Sequence, residues 1–372
     1  MSAGGAHAAG DDTLPPVLSL VGVTKVLGQT PVVRGLHLSI APGAFVTLLG
    51  PSGCGKSTTL NLIAGLLEPD EGRIYLRGDL VNGWEPRRRR LGMVFQSWAL
   101  FPHMTVYENV VFGLRMHRVP DPQIRRRVTE MLALVRLPGI EQKYPSQLSG
   151  GMQQRIALAR ALATEPDILL LDEPLSNLDE RLRKEMQIEL KRIHGQLKVT
   201  TLFVTHSQEE ALVLSDWVAV MNQGFIVRVD TPERLYSDPR SRFVCTFLGE
   251  ANIFEGRVVA VEPDRFTLDT GALRVSVCSR NRIGIGQPVA VAVRPEAISV
   301  RREAREAHGA ENSISATVRD IVYKGEAVTY YLDLPGAALV ALEYPKESGR
   351  PARGDRVYAE FRASAPSVLE EA

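Results

Sequence analysis

Cysteine is scarce in this sequence. Cys54, Cys245 and Cys278 are three among 372 residues. They are too few and too scattered for a disulfide framework or a Cys-rich zinc site, which fits a reducing compartment. Charge of one sign is missing too: 44 Lys and Arg stand against 43 Asp and Glu, a net charge of +1. A chain held to nucleic acid mainly by charge carries a stronger basic bias. No stretch approaches the roughly 18 consecutive apolar residues of a membrane span. The apolar runs, such as 44–49 and 168–171, have the length of strands. Residues 1–16 are rich in Ala and Gly and contain Asp11 and Asp12. With neither a basic n-region nor an apolar h-region, they read as a disordered leader and not as a secretory signal.

What is present is enough apolar matter for sizeable cores, 44% of the residues. At about 150 residues per domain, the length suggests two or three domains. Up to about residue 245, short apolar runs alternate with longer amphipathic segments. Strands are expected over 45–49, 91–95, 168–172, 201–205, 218–221 and 225–229, and helices over 56–66, 122–135, 151–163, 179–197 and 208–214. In the fourth helix, Leu182, Met186, Leu190, Ile193 and Leu197 recur at three- and four-residue steps and form one apolar stripe. Glu180 and Lys184 there form an i,i+4 pair of the favourable orientation. Such alternation argues for an α/β domain around a largely parallel sheet.

After residue 245, strand-like runs follow one another without helices: 256–261, 265–268, 273–277, 289–293, 315–321, 328–332, 338–342 and 357–361. This reads as a small β-barrel or sandwich. Residues 286–300 line up with 354–368 and share Gly, Val, Arg, Ala, Ser and Val. Two half-domains of similar build, or chance likeness between two β segments, account for this equally well. Charge divides evenly: 28 basic and 26 acidic residues over 1–250, 16 and 17 over 251–372. The one basic cluster, Arg87 to Arg90, reads as a solvated hairpin loop.

Gly50, Pro51, Ser52, Gly53, Cys54, Gly55, Lys56 and Ser57 match G-x-x-x-x-G-K-[ST] in full, between an apolar strand and a helix. The glycines let backbone N–H groups turn toward phosphate oxygens, and the helix N-terminus adds partial positive charge. Lys56 reaches the β- and γ-phosphates of a nucleotide, Ser57 offers a hydroxyl to Mg²⁺, and Thr58 follows in the first turn. Cys54 is given no redox role. The run 168–171 ends in Asp172 and Glu173. Asp172 is placed to hold Mg²⁺, and Glu173 to orient or deprotonate an attacking water. Ser149, Gly150 and Gly151 open another helix with bare amides and a hydroxyl. Capping and phosphate binding use the same atoms, so this turn alone decides neither.

Together these motifs make the chain resemble the ATPase subunits of ABC transporters. The elements occur in the family's order: the Walker A loop at 50–57, a Q-loop glutamine at Gln96, the Leu-Ser-Gly-Gly signature at 148–151, Walker B with Asp172 and Glu173, a D-loop ending at Asp179, and a switch histidine at His206. The resemblance covers 17 to about 240. It implies a P-loop NTPase (ABC ATPase) α/β domain over 17–245 with a helical subdomain at about 97–165. An all-β, OB-like TOBE domain is implied over 246–372 on the likeness of 247–256 and 293–296. It further implies ATP and Mg²⁺ as ligands, with Gln96 sensing Mg²⁺ and His206 bonding the γ-phosphate. A head-to-tail dimer with a second copy is expected, in which Ser149, Gly150 and Gly151 touch the partner's ATP.

Leu27 stands where the family usually stacks an aromatic ring on adenine. That predicts weakened ATP affinity and poor discrimination against GTP, because base stacking is worth roughly 1–3 kcal/mol. Met152 and Ser207 replace the usual Gln and Asp without removing a group that must touch phosphate.

The resemblance also implies two transmembrane permease subunits as partners, and an extracytoplasmic solute-binding protein indirectly, with the chain on the cytoplasmic face of the membrane. Trp98 and Phe101 are candidate anchors for a permease helix, the alternative being that they pack inside the helical subdomain. Balanced charge argues against a nucleic-acid ligand. Residues 48–56, 95–106 and 185–191 look most like the spermidine/putrescine branch. Ferric iron, phosphonate, sugar and sulfate importers remain alternatives, and the ATPase itself touches no solute. A soluble ABC ATPase acting on nucleic acid or ribosomes is the competing class. Such proteins generally carry two ATPase halves or a long coiled-coil insertion, whereas here one set of motifs places Asp172 only 115 residues after Ser57. A P-loop kinase or GTPase leaves the Ser-Gly-Gly turn unexplained.

Overall fold

The longest apolar runs become the strands buried on both faces. The computed structural model describes residues 7–8, 15–279, 283–303, 312–334, 336–344 and 350–370. Contacts divide the chain into two units, Met1–Glu233 and Arg234–Ala372. The first contains strands β1 (His7–Ala8), β2 (Leu18–Leu27), β3 (Thr30–Ile40), β4 (Phe45–Leu49), β5 (Glu71–Leu76), β6 (Asp79–Leu80), β7 (Leu91–Val94), β8 (Ile168–Asp172), β9 (Thr200–Thr205), β10 (Trp217–Asn222) and β11 (Phe225–Asp230). Its helices are α1 (Lys56–Ala64), α2 (Val106–Met116), α3 (Asp121–Leu134), α4 (Gly150–Ala163), α5 (Glu180–Leu197) and α6 (Gln208–Leu214).

The main sheet runs β11-β10-β4-β9-β8-β7. From β10 to β7 all neighbours are parallel, and β11 pairs antiparallel to β10. Every residue of β4 and β9 is buried. A strand covered on both faces has no polar side, which is why these runs are apolar but for the buried threonines Thr47, Thr200, Thr201 and Thr205. One core, with Phe45, Ile156, Met186 and Phe203, lies on the side of α2 to α5. The other, with Leu38, Leu48, Leu60 and Val204, lies on the side of α1.

A second sheet, β1-β3-β2-β5-β6, was not expected from the sequence. The β2–β3 pairing shifts register at three places. Each bulge breaks the two-residue alternation by which a half-buried strand is read. At the free edge of β3, His7 and Ala8 pair in parallel with Ser39 and Ile40. Within the stretch expected as a disordered leader over 1–16, these two residues thus form a strand, since an open strand edge offers unpaired N–H and C=O groups. Residues 1–6 and 9–14 lie outside the described residues.

The basic run needs a correction. Arg89 is 2% exposed, and it donates to the carbonyls of Leu62 and Ile63 at 2.8 and 2.9 Å and of Trp84 at 3.1 Å. It therefore closes the C-terminal end of α1, where carbonyls have no partner within the helix.

The second unit holds most of α7 (Pro232–Ser237), then α8 (Arg242–Phe247) and the strands β12 (Asn252–Val261), β13 (Arg265–Asp269), β14 (Arg274–Cys278), β15 (Pro288–Val293), β16 (Ser299–Arg301), β17 (Asn312–Tyr323), β18 (Val328–Leu334), β19 (Ala337–Glu343), β20 (Arg356–Phe361) and β21 (Ser367–Leu369). The change of texture after residue 245 thus falls inside this unit. Arg294 joins the helical lead-in to the strands by donating to the carbonyls of Cys245, Gly249 and Glu250.

Two sheets, β14-β13-β12-β15-β21 and β19-β18-β17-β20-β16, share one order. Each half supplies four strands of one sheet and sends its fifth to the other: β15 pairs with β21, and β16 with β20. Even the bulges correspond, at Val258/Ala260 in β12 and Val318/Asp320 in β17. Segments 286–300 and 354–368 are where the exchange occurs, so their likeness has a structural counterpart.

Candidate active site

Strand order assembles the site. The loops that leave the carboxyl ends of β4, β9, β8 and β7 carry residues 50–55, His206, Glu173 and Gln96 respectively, with Asp172 the last residue of β8, and these four parallel strands are consecutive neighbours. The carboxyl edge of such a sheet is where α/β folds bind ligands.

The loop 50–55 is held rigidly. A Cβ on Gly50 would stand 2.2 Å from the Met221 carbonyl oxygen, and one on Gly55 2.3 Å from that of Val32. Gly55, with φ at 105°, is the N-cap of α1 and supplies no side-chain cap. The first amides of that helix are therefore left for an anion. Lys56 is buried, and its Nζ donates to the carbonyls of Gly50 and Pro51 at 2.8 Å each. Ser52 and Gly53 are exposed, Thr58 is half-buried, and Gly224 donates to the Cys54 carbonyl from the β10–β11 turn at 3.1 Å. Cys54 is buried beside Lys56, and its thiol is pushed up by that burial despite the neighbouring charge.

Ser57 Oγ donates to Asp172 Oδ1 at 2.9 Å. Burial, opposed by this bond, raises the Asp172 carboxyl. The Ser57 hydroxyl and the Asp172 carboxylate thus meet as an all-oxygen pair of the kind that suits a hard cation such as Mg²⁺. Glu173 adopts a left-handed conformation, φ 42°, and its Oε2 lies 3.1 Å from His206 Nδ1. Ser176 secures that turn by donating to the Glu173 carbonyl from both N and Oγ, at 3.2 and 2.9 Å. Gln96 Nε2 donates to Ser176 Oγ at 3.3 Å, and Asn177 Nδ2 to the Gln96 carbonyl at 2.9 Å. Sequence reasoning named Gln96, Glu173 and His206 and placed Ser176 and Asn177 in the D-loop, but not in the role they have of tying the first to the second.

The Ser-Gly-Gly turn is a separate place. Ser149 is the N-cap of α4 and accepts from Met152 N at 3.4 Å. A Cβ on Gly150 would stand 3.1 Å from the Trp98 ring, and one on Gly151 2.9 Å from Leu182. Trp98 also donates from its indole N–H to the Pro174 carbonyl at 3.1 Å. Half-buried against the helical core, it supports this turn, which matches the reading that it packs within the helical subdomain. Phe101 lies against Phe112 with ring centroids 4.7 Å apart. Arg160, also missed, holds the positive-φ residues Trp98 and Ala99 by donating to their carbonyls at 3.1 and 2.8 Å. Asp179 caps α5 by accepting from Leu182 N at 2.9 Å. Leu27 ends β2 at the hairpin tip and is 44% exposed.

Residues 33–176 match the family model described as ABC transporter, and 291–369 the one described as TOBE domain. The spermidine/putrescine import ATP-binding protein PotA of Rubrobacter xylanophilus is 48% identical over 337 residues, spanning 90% of this chain and 88% of the relative. The protein of the same name from Acidothermus cellulolyticus is 43% identical over 375 residues, 96% and 97% of the two chains. Among solved structures, a dimeric ATP-binding cassette in a post-hydrolysis state with ADP and Pi is 33% identical with a TM-score of 0.52, covering 58% of this chain and 98% of that one. The cbiO1 protein of Clostridium perfringens, part of an ABC transporter complex, is 28% identical with a TM-score of 0.56, covering 60% and 91%.

Proposed function

Because this chain belongs to the family of ABC transporter ATP-binding subunits, we propose that it hydrolyses ATP in a dimer of two copies to drive polyamine import through a membrane permease. One observation carries the hydrolytic part: the juxtaposition of residues 50–57, Asp172, Glu173, His206 and Gln96 at the carboxyl edge of neighbouring strands.

Lys56 and the bare amides of α1 bind the β- and γ-phosphates. Ser57, Asp172 and Gln96 would hold Mg²⁺, which neutralises phosphate charge when bound. The Glu173 carboxylate orients the attacking water and accepts its proton, and His206 holds Glu173 and the γ-phosphate in register. Ser149, Gly150 and Gly151 of one copy close over the nucleotide of the other.

Glu173→Gln is expected to bind ATP and to dimerise but to hydrolyse at least about 10²-fold more slowly, the scale of losing a general base. Near-normal turnover, measured as phosphate release, overturns the assignment.

Among the described residues, no helix is long and apolar enough to cross a membrane, and the proposal assigns the channel to other chains. A cleft of about 710 Å³ in the first unit sets Arg87, Arg90, Arg126 and Arg127 around Leu114 and Val119. Each of those arginines already has an acidic partner, Arg87 with Glu85, Arg90 with Asp167, Arg126 with Glu130 and Arg127 with Glu130 and Glu165, so the cleft is not a cationic surface that calls for an acidic partner. Two multi-span proteins should copurify from solubilised membranes; ribosomes or DNA in their place would support the nucleic-acid class. The polyamine reading rests on the names of the relatives. It predicts that ATPase activity of the reconstituted transporter rises with binding protein loaded with spermidine or putrescine, and not with a sugar- or iron-loaded one.

A further inference from the structure

Behind the His206 loop lies a buried charge that the hydrolytic scheme does not use. Glu210, on α6, is 4% exposed. Its Oε2 accepts from Thr205 Oγ1 at 2.5 Å, and Thr205 Oγ1 in turn accepts from Ser207 N at 3.0 Å. Ser207 Oγ then accepts from Glu210 N at 3.3 Å and caps the helix. These bonds fix the residues on either side of His206 to the Glu210 carboxylate. On its other oxygen, Glu210 faces Arg183 of α5: Nε to Oε1 is 3.7 Å.

Arg183 reaches back as well. Its Nη2 donates to the Leu178 carbonyl at 3.0 Å, inside the loop 176–179 whose Asn177 holds Gln96. Its Nε is buried and has no hydrogen-bond partner. A buried donor left without a partner is costly, and the acceptor that could satisfy it is the carboxylate it already faces. One planar guanidinium thus spans two loops of the site, bonded to the first and short of bonding the second.

We propose that Arg183 and Glu210 are positioning residues that link loop 176–179 to the His206 loop, so that closing the 3.7 Å gap between them holds His206 where it lies, 3.1 Å from Glu173. The link rests on the dimeric ATPase reading above. Neither residue touches nucleotide in it. Arginine suits the task because its rigid fork can serve Leu178 and Glu210 at once, which a single ammonium cannot do with the same geometry.

Steady-state ATPase kinetics on the full chain test this with Arg183→Lys, Glu210→Gln and the double variant. Glu210→Gln keeps the shape and removes a buried charge, so it remains the informative variant should Arg183→Lys fail to fold. Each single substitution is expected to lower kcat about tenfold while KM for ATP, and binding of a fluorescent ATP analogue, stay within about twofold. The double variant is expected to lose no more than the worse single one, since cutting a link twice costs no more than cutting it once. Unchanged kcat in the singles, losses that multiply in the double, or a loss carried by KM would each overturn the link. Absence of ATPase activity in the unsubstituted chain would instead overturn the reading on which it rests.

Discussion

Two turns in this molecule present a helix N-terminus with glycines and a hydroxyl, and they differ in what holds them. Around the loop 50–55 the neighbours are backbone: the carbonyls of Met221 and Val32 stand where side chains on Gly50 and Gly55 would go. Around the Ser149 turn the neighbours are side chains, Trp98 at Gly150 and Leu182 at Gly151. The first turn has its own lysine folded against it and the Ser57–Asp172 pair beneath. The second offers an exposed serine that caps its own helix through a 3.4 Å bond. The proposed phosphate site is thus complete within one chain and built into the main sheet. The other turn has the same local chemistry without a cation or acid pair of its own, as suits a surface completed by a second copy.

Substitutions that add one methyl group should break this comparison most sharply. Gly55→Ala puts a Cβ against the Val32 carbonyl at a φ of 105°, which backbone cannot relieve without moving β3. ATP binding, read by a fluorescent analogue, should fall by more than about 10²-fold. Gly151→Ala meets only the flexible end of Leu182. Its ATP binding should stay within about twofold while kcat drops about tenfold, the pattern of an interaction made only in the transition state. If Gly151→Ala instead weakens binding as Gly55→Ala does, the two turns serve one nucleotide in one chain and the contrast fails. Leu27→Tyr probes the opposite end of the first site. A ring in place of an exposed leucine should tighten ATP by roughly 1 kcal/mol, the lower end of base stacking, and separate ATP from GTP by equilibrium binding. Equal affinities before and after would show that the β2–β3 hairpin tip does not reach the base.

What could be read beforehand follows from how each residue is held. The strands β4, β8 and β9 were legible because burial on both faces leaves apolar residues with threonine as the one polar type inside them. The acids and the histidine at their ends were legible by position. The exchanged strands β16 and β21 were not. They are three residues long and pair with the other half of the β unit, so no local period marks them. The helix α2 was missed although its capping box, Thr105 with Glu108, is a sequence-level signal. Arg89 shows a different limit. Four arginines in a row look alike, and only the last carbonyls of α1, 26 and 27 residues earlier, select the third for burial. The same holds for Arg183 and Ser176, whose partners come from loops brought together by strand order.

The smallest effect is the most discriminating for Ser149, whose hydroxyl serves a cap and a phosphate site with the same atom. Capping strength separates the two roles. Replacing an N-cap serine with alanine costs about 1 kcal/mol of stability, but replacing it with glycine costs only a few tenths. The long 3.4 Å bond from Met152 N places Ser149→Ala at or below that figure. Thermal unfolding should therefore rank the wild type and Ser149→Gly close together, with Ser149→Ala below them. Turnover should follow the hydroxyl instead. Both variants should lose about fivefold in kcat, the worth of one hydrogen bond of about 1 kcal/mol, with ATP binding to the isolated chain unchanged. If turnover tracks the melting order, so that glycine restores what alanine loses, Ser149 is a cap alone and phosphate contact at the second turn rests on the amides of Gly150 and Gly151.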